Sequence, residues 1–169
     1  IVTAAAAESG CSTGVATWNV NSSTGKWDQL FRCLACHEVG VLCAQEMRLS
    51  FDQFEKFRLV AKSWGYKAWL SLPEYDARGK NVINGLAILS RCDGQAVEVP
   101  GCIDRRRCML YQLHREGSSP LLIVNLHIRA VWSDDEKESF LDALFTYLIS
   151  LGCDVVILGD WNLLPTEGT

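Results

Sequence analysis

The segment VVILGDWNLLP, residues 155–165, joins the end of a core strand to two polar side chains. Four consecutive apolar residues, two of them valine, predict a strand that is buried on both faces. Gly159 follows, and Asp160 and Asn162 then flank a tryptophan. Two interpretations are open at this point, because Asp and Asn are common in turns and their oxygens are also ligands for hard cations.

Strands and helices alternate along the rest of the chain. The apolar spacing predicts strands near residues 15–20, 41–46, 66–72, 85–90, 106–114, 121–128 and 155–160, and helices near 25–38, 51–64 and 134–150. Capping-box pairs mark two helix starts, Ser50 with Gln53 and Ser133 with Glu136. The first strand, helix and strand form a βαβ unit with parallel strands, and the turn-joined strands that follow suit antiparallel pairing. The pattern predicts one α/β domain.

Polar side chains gather at the predicted carboxyl ends of separate strands, where α/β sheets collect their ligands. They are two carboxylates, two amides and an imidazole: Glu46, Asp160, Asn19, Asn162 and His127. Each alone has an ordinary structural explanation, as a turn residue, a solvated strand end or a hydrogen-bonded core histidine. Together they supply the oxygen ligands that Mg²⁺ takes while it keeps waters for a phosphate. Zinc or copper fits poorly, because no thiolates and imidazoles converge there.

Composition places the chain among ordinary globular proteins of one domain. It has 169 residues, 49% of them hydrophobic and 21% charged. No apolar run reaches membrane-spanning length, and the small, apolar N-terminus lacks the basic region expected of a signal peptide, so we expect none. The net charge of −4 gives no general argument for nucleic-acid binding, which would need a local basic patch. Candidates for that patch are Arg91, Arg106 and Arg107, with Arg78, Lys80 and Arg105 nearby in sequence; the alternative is a solvated strand edge.

Eight cysteines are scattered through apolar or helical surroundings, at positions 11, 33, 36, 43, 92, 102, 108 and 153. This distribution predicts reduced thiols in an intracellular protein of the nucleus or cytoplasm rather than a disulfide scaffold. The segment CLACH, residues 33–37, matches a haem-attachment pattern, and with Cys43 it offers a conceivable zinc set. We favour a plain amphipathic helix, because Trp27, Leu30, Phe31 and Leu34 recur on one face.

Five motifs occur in the order and rough spacing of the endonuclease/exonuclease/phosphatase superfamily, which has the DNase I-like fold: TWNV, CAQEMR, GLAILSR, VNLHI and ILGDWN. The chain resembles this superfamily from about residue 14 to residue 165. The Gln-Glu pair that ends one strand and the Gly-Asp-x-Asn that ends a later one are the most specific pieces. The resemblance implies an α/β (α+β) fold, a two-layer β-sandwich flanked by helices, and metal-dependent hydrolysis of phosphodiesters.

Residue roles follow from the same resemblance. Glu46 and Asn19 look like the metal-binding residues, for Mg²⁺ with Mn²⁺ as a substitute. Asp160 and Asn162 look like the pair that binds phosphate and positions the nucleophile. The VNLH stretch puts His127 in the role of the phosphate-contacting histidine.

The chain departs from the superfamily pattern at its end, because no Ser-Asp-His motif with its general base is present. We therefore expect residues 1–169 to be one partial domain of a longer polypeptide, with the C-terminal part and the second half of the sandwich missing, and to be nearly inactive alone. The predicted function is a nucleic-acid endonuclease acting on DNA rather than RNA, of retrotransposon type and without membrane partners. The alternatives are a phosphatase or phosphodiesterase on inositol phosphate or sphingolipid, and a non-catalytic remnant that only binds nucleic acid or a partner.

Overall fold

A computed structural model describes residues 2–6, 13–22 and 25–163 of the chain. Cys11, for which a reduced thiol is predicted, lies outside these ranges, and so do residues 164 and 165 of the opening segment. None of the described helices is long and apolar enough to cross a membrane.

The described residues form three helices and eleven strands. The helices are α1 (Trp27–Cys36), α2 (Phe51–Ser63) and α3 (Asp134–Leu151). The strands are β1 (Val2–Ala6), β2 (Thr13–Asn19), β3 (Val39–Gln45), β4 (Lys67–Leu70), β5 (Glu74–Tyr75), β6 (Val82–Asn84), β7 (Ala87–Ser90), β8 (Gly94–Val97), β9 (Cys108–Leu113), β10 (Leu121–His127) and β11 (Asp154–Asp160).

Five strands form the first sheet, in the order β1-β2-β3-β7-β4. Strands β2 and β3 are parallel, which confirms the predicted βαβ unit. Helices α1 and α2 cover the outer face of this sheet, where Phe31, Leu34 and Phe57 pack in one core cluster with Leu42 and Leu89. Asn19 pairs with Gln45 at the carboxyl ends of β2 and β3. The residues that follow these two parallel strands therefore lie at the same end of the sheet.

Four strands form a second sheet, in the order β11-β10-β9-β8. Both layers of the sandwich are therefore represented among the described strands, and the expectation of a missing C-terminal part stays a prediction. Strands β10 and β11 are parallel and pair His127 with Asp160 at their carboxyl ends. Helix α3 covers the outer face, where Phe140, Leu144 and Leu148 pack against side chains of β9 and β10.

The two sheets pack face to face around a shared core. Val41 and Ile88 from the first sheet meet Tyr111 and Ile123 from the second in one buried cluster. The side-chain amide of Asn125 on β10 crosses between the sheets and donates to the carbonyl oxygens of Ala44 (3.0 Å) and Ala87 (2.8 Å). The architecture is a β-sandwich with helices on both outer faces, as the sequence predicted.

Every predicted helix and strand is present, with ends that differ by a few residues. Both predicted capping boxes are also present, at Ser50–Gln53 and Ser133–Glu136. The prediction missed four elements: strand β1, the short β5–β6 hairpin and strand β8. The hairpin strands are two and three residues long, which is too short for an alternating pattern to show.

The cysteines behave as small buried or surface thiols. Helix α1 buries Leu30, Phe31 and Leu34, while Cys33 is half-buried and Cys36 exposed, in agreement with the amphipathic helix. No disulfide links the cysteines that the structure describes. Burial raises the pKa of Cys108 to about 12, which keeps this thiol protonated.

Candidate active site

Four of the predicted site residues meet where both sheets end. Asn19 Nδ2 donates one hydrogen bond to Glu46 Oε1 (2.9 Å) and one to Asp160 Oδ2 (2.8 Å). Asn19 is the last residue of β2 and Glu46 directly follows β3, both in the first sheet, whereas Asp160 ends β11 in the second sheet. One ligand atom from each of Glu46, Asp160 and His127 lies within 4.8 Å of the others. The structure therefore brings together side chains that are up to 141 positions apart in sequence.

The orientation of the Asn19 amide follows from its hydrogen bonds. Its Oδ1 accepts from the backbone N–H of Asn21 (3.1 Å), so the nitrogen must face the two carboxylates. Asn19 therefore bridges Glu46 and Asp160 in this arrangement. The ligand role predicted for Asn19 through its oxygen would need the amide to turn over.

Glu46 is held in an unusual backbone conformation directly after β3. Its φ is 54° and that of Arg48 is 50°, in the left-handed region that non-glycine residues seldom adopt. The backbone N–H of Met47, between them, donates to the carbonyl oxygen of Gly85 (2.9 Å). This hydrogen bond connects the segment after β3 to the residues that lead into β7. Left-handed residues of this kind persist where the surrounding structure enforces them, and they cluster at functional sites.

Arg48 Nη2 binds Glu46 Oε2 at 2.5 Å. Burial of the Glu46 carboxyl favours its protonated form, but the hydrogen bonds from Asn19 and Arg48 and the charge of Arg48 outweigh this effect. The pKa of Glu46 therefore lies below its ordinary value. The carboxylate is ionised at neutral pH and available to a cation.

His127 is buried and fixed through Asn84. The Nδ1–H of the ring donates to Asn84 Oδ1 (2.8 Å), and the Asn84 Nδ2 donates to the carbonyl of Arg106 (3.3 Å), which sets the direction of the amide. We assign the hydrogen to Nδ1 on this basis, which leaves Nε2 as the ring atom for a ligand. Burial lowers the pKa of His127 below its ordinary value, although the charge of Asp160 acts against this change.

The GDWN segment has a separate structural reason for each position. A Cβ on Gly159 would lie 1.9 Å from the carbonyl oxygen of Leu126, so no larger residue fits there. Trp161 packs against the core beneath α3. The backbone N–H of Asn162 donates to Asp160 Oδ1 (3.2 Å), and its Nδ2 donates to the carbonyl of Ile128 (2.8 Å). The side-chain nitrogen of Asn162 thus holds the ends of β10 and β11 together, beside the carboxylate cluster.

The residues present fit a divalent cation. Two carboxylates share one amide donor, and only one of the two is in an ion pair, that of Glu46 with Arg48. Such a concentration of negative charge favours a bound cation. Among the residues that the structure describes, Glu46, His127 and Asp160 form the one group of three or more acidic, histidine or cysteine side chains able to hold a metal. With carboxylates in the majority, the set suits Mg²⁺ or Mn²⁺ better than a metal that prefers sulfur.

The three arginines predicted to bind substrate are not gathered at this cluster. Arg91 lies beside Gly40, at the edge where β3 begins, and its guanidinium covers the ring of Tyr66 at 4.5 Å. Arg106 forms two 2.9 Å hydrogen bonds with the carboxylate of Asp104. Arg107 is nearest to the cluster, because its carbonyl accepts from the backbone N–H of His127, but its side chain is buried and paired with Glu74.

Two residues of the site were not predicted. Arg48 lies two positions after Glu46 in the CAQEMR motif, so its closeness in sequence to Glu46 already indicated that it could lie near the site. Asn84 precedes the GLAILSR motif and carries no pattern of its own, because its contact with His127 spans 43 positions. The structure alone reveals this second residue.

A protein-family model and several solved structures match this chain. Residues 16–169 match the model of the endonuclease/exonuclease/phosphatase family. The 3′-5′ exonuclease NExo from Neisseria meningitidis is a similar solved structure, with a TM-score of 0.68 and 25% identity over 89% of this chain and 58% of that one. A 3′ phosphatase NExo variant from Neisseria, solved with a product DNA hairpin, gives a TM-score of 0.67 and 24% identity over 89% and 58% of the two chains. An AP endonuclease from Archaeoglobus fulgidus gives a TM-score of 0.66 and 21% identity, over 90% of this chain and 58% of that one.

A comparison with curated protein sequences gives no match. The chain spans about 58% of the length of the solved structures named above. The family match covers residues 16–169, and both motifs that build the carboxylate cluster lie inside it. This chain belongs to the endonuclease/exonuclease/phosphatase family.

Proposed function

We propose that this site hydrolyses phosphodiester bonds in nucleic acid, DNA rather than RNA, with Mg²⁺ as its metal and an endonuclease as the activity of the whole protein. One observation carries the proposal: Asn19 joins Glu46 and Asp160 across the two sheets, beside the ring of His127. A site built only for stability would not place two carboxylates so close together, because like charges repel.

Glu46 and Asp160 would hold the cation, with His127 beside them. When bound, Mg²⁺ or Mn²⁺ would polarise a phosphoryl oxygen and stabilise the leaving oxygen. Two further residues support these ligands: Asn19 sets the distance between the two carboxylates, and Arg48 keeps Glu46 ionised.

His127 would contact the substrate phosphate. Its Nδ1–H is fixed by Asn84, so Nε2 is the atom that faces a ligand. A neutral ring with its hydrogen on Nδ1 accepts at Nε2, and the protonated ring donates there. The negative charge of a phosphate next to the ring favours the protonated form, in which Nε2–H donates to a phosphate oxygen.

Support for nucleic acid as the substrate comes from the relatives. The solved structures include an AP endonuclease and a NExo structure bound to a product DNA hairpin. The retrotransposon origin, the longer polypeptide and the intracellular location stay predictions from the sequence.

Metal binding gives the first test. Mn²⁺ added to the chain should enhance the relaxation of water protons, and Glu46→Gln should weaken this binding by about tenfold or more, since a ligand charge is lost. Glu55→Gln on the exposed side of α2 is the matched control and should bind Mn²⁺ normally. Unchanged Mn²⁺ affinity in Glu46→Gln would contradict the assignment.

Substrate choice gives the second test. Residues 1–169 and a longer natural polypeptide containing them are compared with Mg²⁺ on plasmid DNA, single-stranded RNA and an inositol phosphate. We expect the longer chain to cut DNA and residues 1–169 to be nearly inactive, since loss of a positioned acid–base group typically costs a factor of about 10²–10⁴. Cleavage of the inositol phosphate alone would overturn the nucleic-acid assignment and leave the metal site standing.

A further inference from the structure

The β5–β6 hairpin is attached to the second sheet right at the site. Its inner face carries Glu74 and Asn84, which pair with each other in the hairpin register. Glu74 forms an ion pair with the buried side chain of Arg107, and Asn84 binds His127. The base of the hairpin therefore has a fixed position next to the histidine of the cluster.

The outer face of the same hairpin is apolar and faces solvent. Tyr75 and Ile83 are each 39% exposed, and Leu72, just before β5, is 58% exposed. The hairpin register shifts after the Glu74–Asn84 pair, so that Tyr75 pairs with Val82. The exposure of Tyr75 and Ile83 therefore places these two side chains on the solvent side of the hairpin. An exposed aromatic ring next to a polar site is a feature of surfaces that bind ligands.

The hairpin turn, residues 76–81, presents two basic side chains on an ordered backbone. The Asp76 carboxylate accepts from the backbone N–H groups of Arg78 (3.1 Å) and Lys80 (2.9 Å) and from Asn81 Nδ2 (2.8 Å). These hydrogen bonds also hold the pKa of Asp76 below its ordinary value. The turn is thus ordered before any ligand arrives, which reduces the entropic cost of binding.

Arg78 and Lys80 differ from the other basic residues of this region. Arg105, Arg106, Arg107 and Arg129 all have a carboxylate partner. Within the described part of the chain, neither Arg78 nor Lys80 is in an ion pair, and both are exposed. Arg78 and Lys80 thus sit on a hairpin whose base lies beside the carboxylate cluster, and they offer the positive charge that a polyanion needs, because the carboxylates themselves repel it.

We propose that the β5–β6 hairpin is the arm by which this protein holds nucleic acid, with Arg78 and Lys80 on backbone phosphates and the Tyr75 ring against a base or sugar. This inference rests on the proposed function and adds to it a substrate-contacting element. Ile83 and Leu72 extend the apolar surface around the ring. Phosphate contacts would set the affinity and the position of the strand, and the ring would add a stacking contact that tolerates different sequences.

The charge half of the proposal is tested by fluorescence anisotropy with a fluorescein-labelled DNA hairpin, in a Glu46→Gln background so that the DNA stays uncut. We expect the double variant Arg78→Ala/Lys80→Ala to raise Kd about tenfold and to lower the slope of log K against log salt by about two. Arg32→Ala/Lys62→Ala, which removes the same charges from exposed positions on α1 and α2, is the matched control and should change Kd less than about twofold.

The ring is tested in the same assay. Tyr75→Ala should raise Kd about tenfold with an unchanged salt slope, whereas Tyr75→Phe should bind like the parent because it keeps the stacking face. If all these variants bind DNA like the parent, the arm is disproved, and Mn²⁺ binding at Glu46 is unaffected by that result. If the Glu46→Gln protein binds neither DNA nor RNA while the unsubstituted protein binds Mn²⁺, both the arm and the nucleic-acid part of the proposed function are wrong.

Discussion

The Nδ1–H of His127 donates to the side-chain oxygen of Asn84 at 2.8 Å, which links the last strand residue of β10 to the last residue of β6. Both residues are buried, at 8% and 3% exposure. This hydrogen bond joins two different sheets of the molecule, since β6 belongs to the hairpin and β10 to the second sheet. It fixes the ring plane of His127 and, through the same residue, the base of the hairpin.

Asn84→Ala should destabilise the protein by roughly 1–3 kcal/mol, because it leaves a buried ring N–H without an acceptor. Urea unfolding measures this loss. The ¹⁵N shifts of the His127 ring report its tautomer, and we expect the single Nδ1–H form to give way to a mixture. Asn81→Ala, in the exposed turn, is the control and should cost less than about 1 kcal/mol. An unchanged tautomer in Asn84→Ala would show that another group orients the ring.

Gly159→Ala should be among the most destabilising single-methyl changes in the chain. The added Cβ would meet the carbonyl oxygen of Leu126 at 1.9 Å, and the φ of Gly159 is 149°. Because the obstacle is backbone of the neighbouring parallel strand, β11 would have to shift against β10. We expect a loss of about 3 kcal/mol or more in the free energy of unfolding.

The same substitution at Gly101 is the control for Gly159→Ala. A Cβ at Gly101 meets no atom within 4 Å, and its φ is not positive. We therefore expect Gly101→Ala to stay within about 0.5 kcal/mol of the parent. Equal losses in the free energy of unfolding for Gly159→Ala and Gly101→Ala, measured with urea, would contradict the steric explanation for glycine at position 159.

Strands and helices with a clear apolar period could be predicted from the sequence. Strand β10 is buried at all seven positions, and its run of apolar residues identified it directly. Strand β8 was missed because Gln95 and Ala96 are exposed, which leaves little apolar pattern. The hairpin was missed because its stability comes from contacts such as Glu74 with Arg107, 33 positions away, that no local pattern carries.

The site could be predicted as far as strand ends reveal it. Asn19, Glu46, His127 and Asp160 all follow or end strands of the sandwich, and the structure brings them together. The basic residues could not be located in the same way. Arg91 follows β7, which runs antiparallel to β3, so it lies at the opposite edge from Glu46. The predicted antiparallel pairing concerned strands that follow one another along the chain, whereas β7 also pairs with the earlier strand β3, and that long-range pairing has no local sequence pattern.

Ser133→Ala should destabilise the protein by about 1 kcal/mol through the start of α3. The Ser133 side chain accepts from the backbone N–H of Glu136 (3.3 Å), which satisfies one free donor of the first helical turn. Thermal unfolding measures the change. Ser133→Asp, which keeps a capping oxygen, should restore most of the stability, and a Ser133→Asp variant as unstable as Ser133→Ala would argue against the capping explanation.

The same capping box should make helix α3 sensitive to acid. Hydrogen bonds from the Ser133 backbone N–H and hydroxyl lower the pKa of Glu136 below its ordinary value. A carboxyl whose folded pKa is lowered stabilises the fold above its unfolded pKa, and this contribution is lost as the pH falls through the folded pKa. The stability difference between the parent and Glu136→Gln should therefore be present at neutral pH and shrink below about pH 4.

Asn125 should be the most costly polar residue to remove from between the sheets. It is fully buried, donates to the carbonyls of Ala44 and Ala87, and accepts from Gln45 Nε2 at 2.7 Å. Asn125→Leu keeps the volume but leaves these groups without partners. We expect a loss of roughly 3 kcal/mol or more, measured by urea unfolding.

A double-mutant cycle with Gln45→Leu tests whether the two amides act as one unit. Gln45 Nε2 also lies 3.0 Å from Thr17 Oγ1 and 3.0 Å from the carbonyl oxygen of Cys43, so its two hydrogens are shared among three acceptors and the single variant leaves several of them without a donor. Because Gln45 Nε2 donates to Asn125 Oδ1, each single variant leaves one member of this hydrogen bond without its partner. Removing both should therefore cost less than the sum of the single losses by about 1 kcal/mol or more. Strict additivity would mean that each amide is held by backbone alone, and the link between the sheets would then not run through this pair.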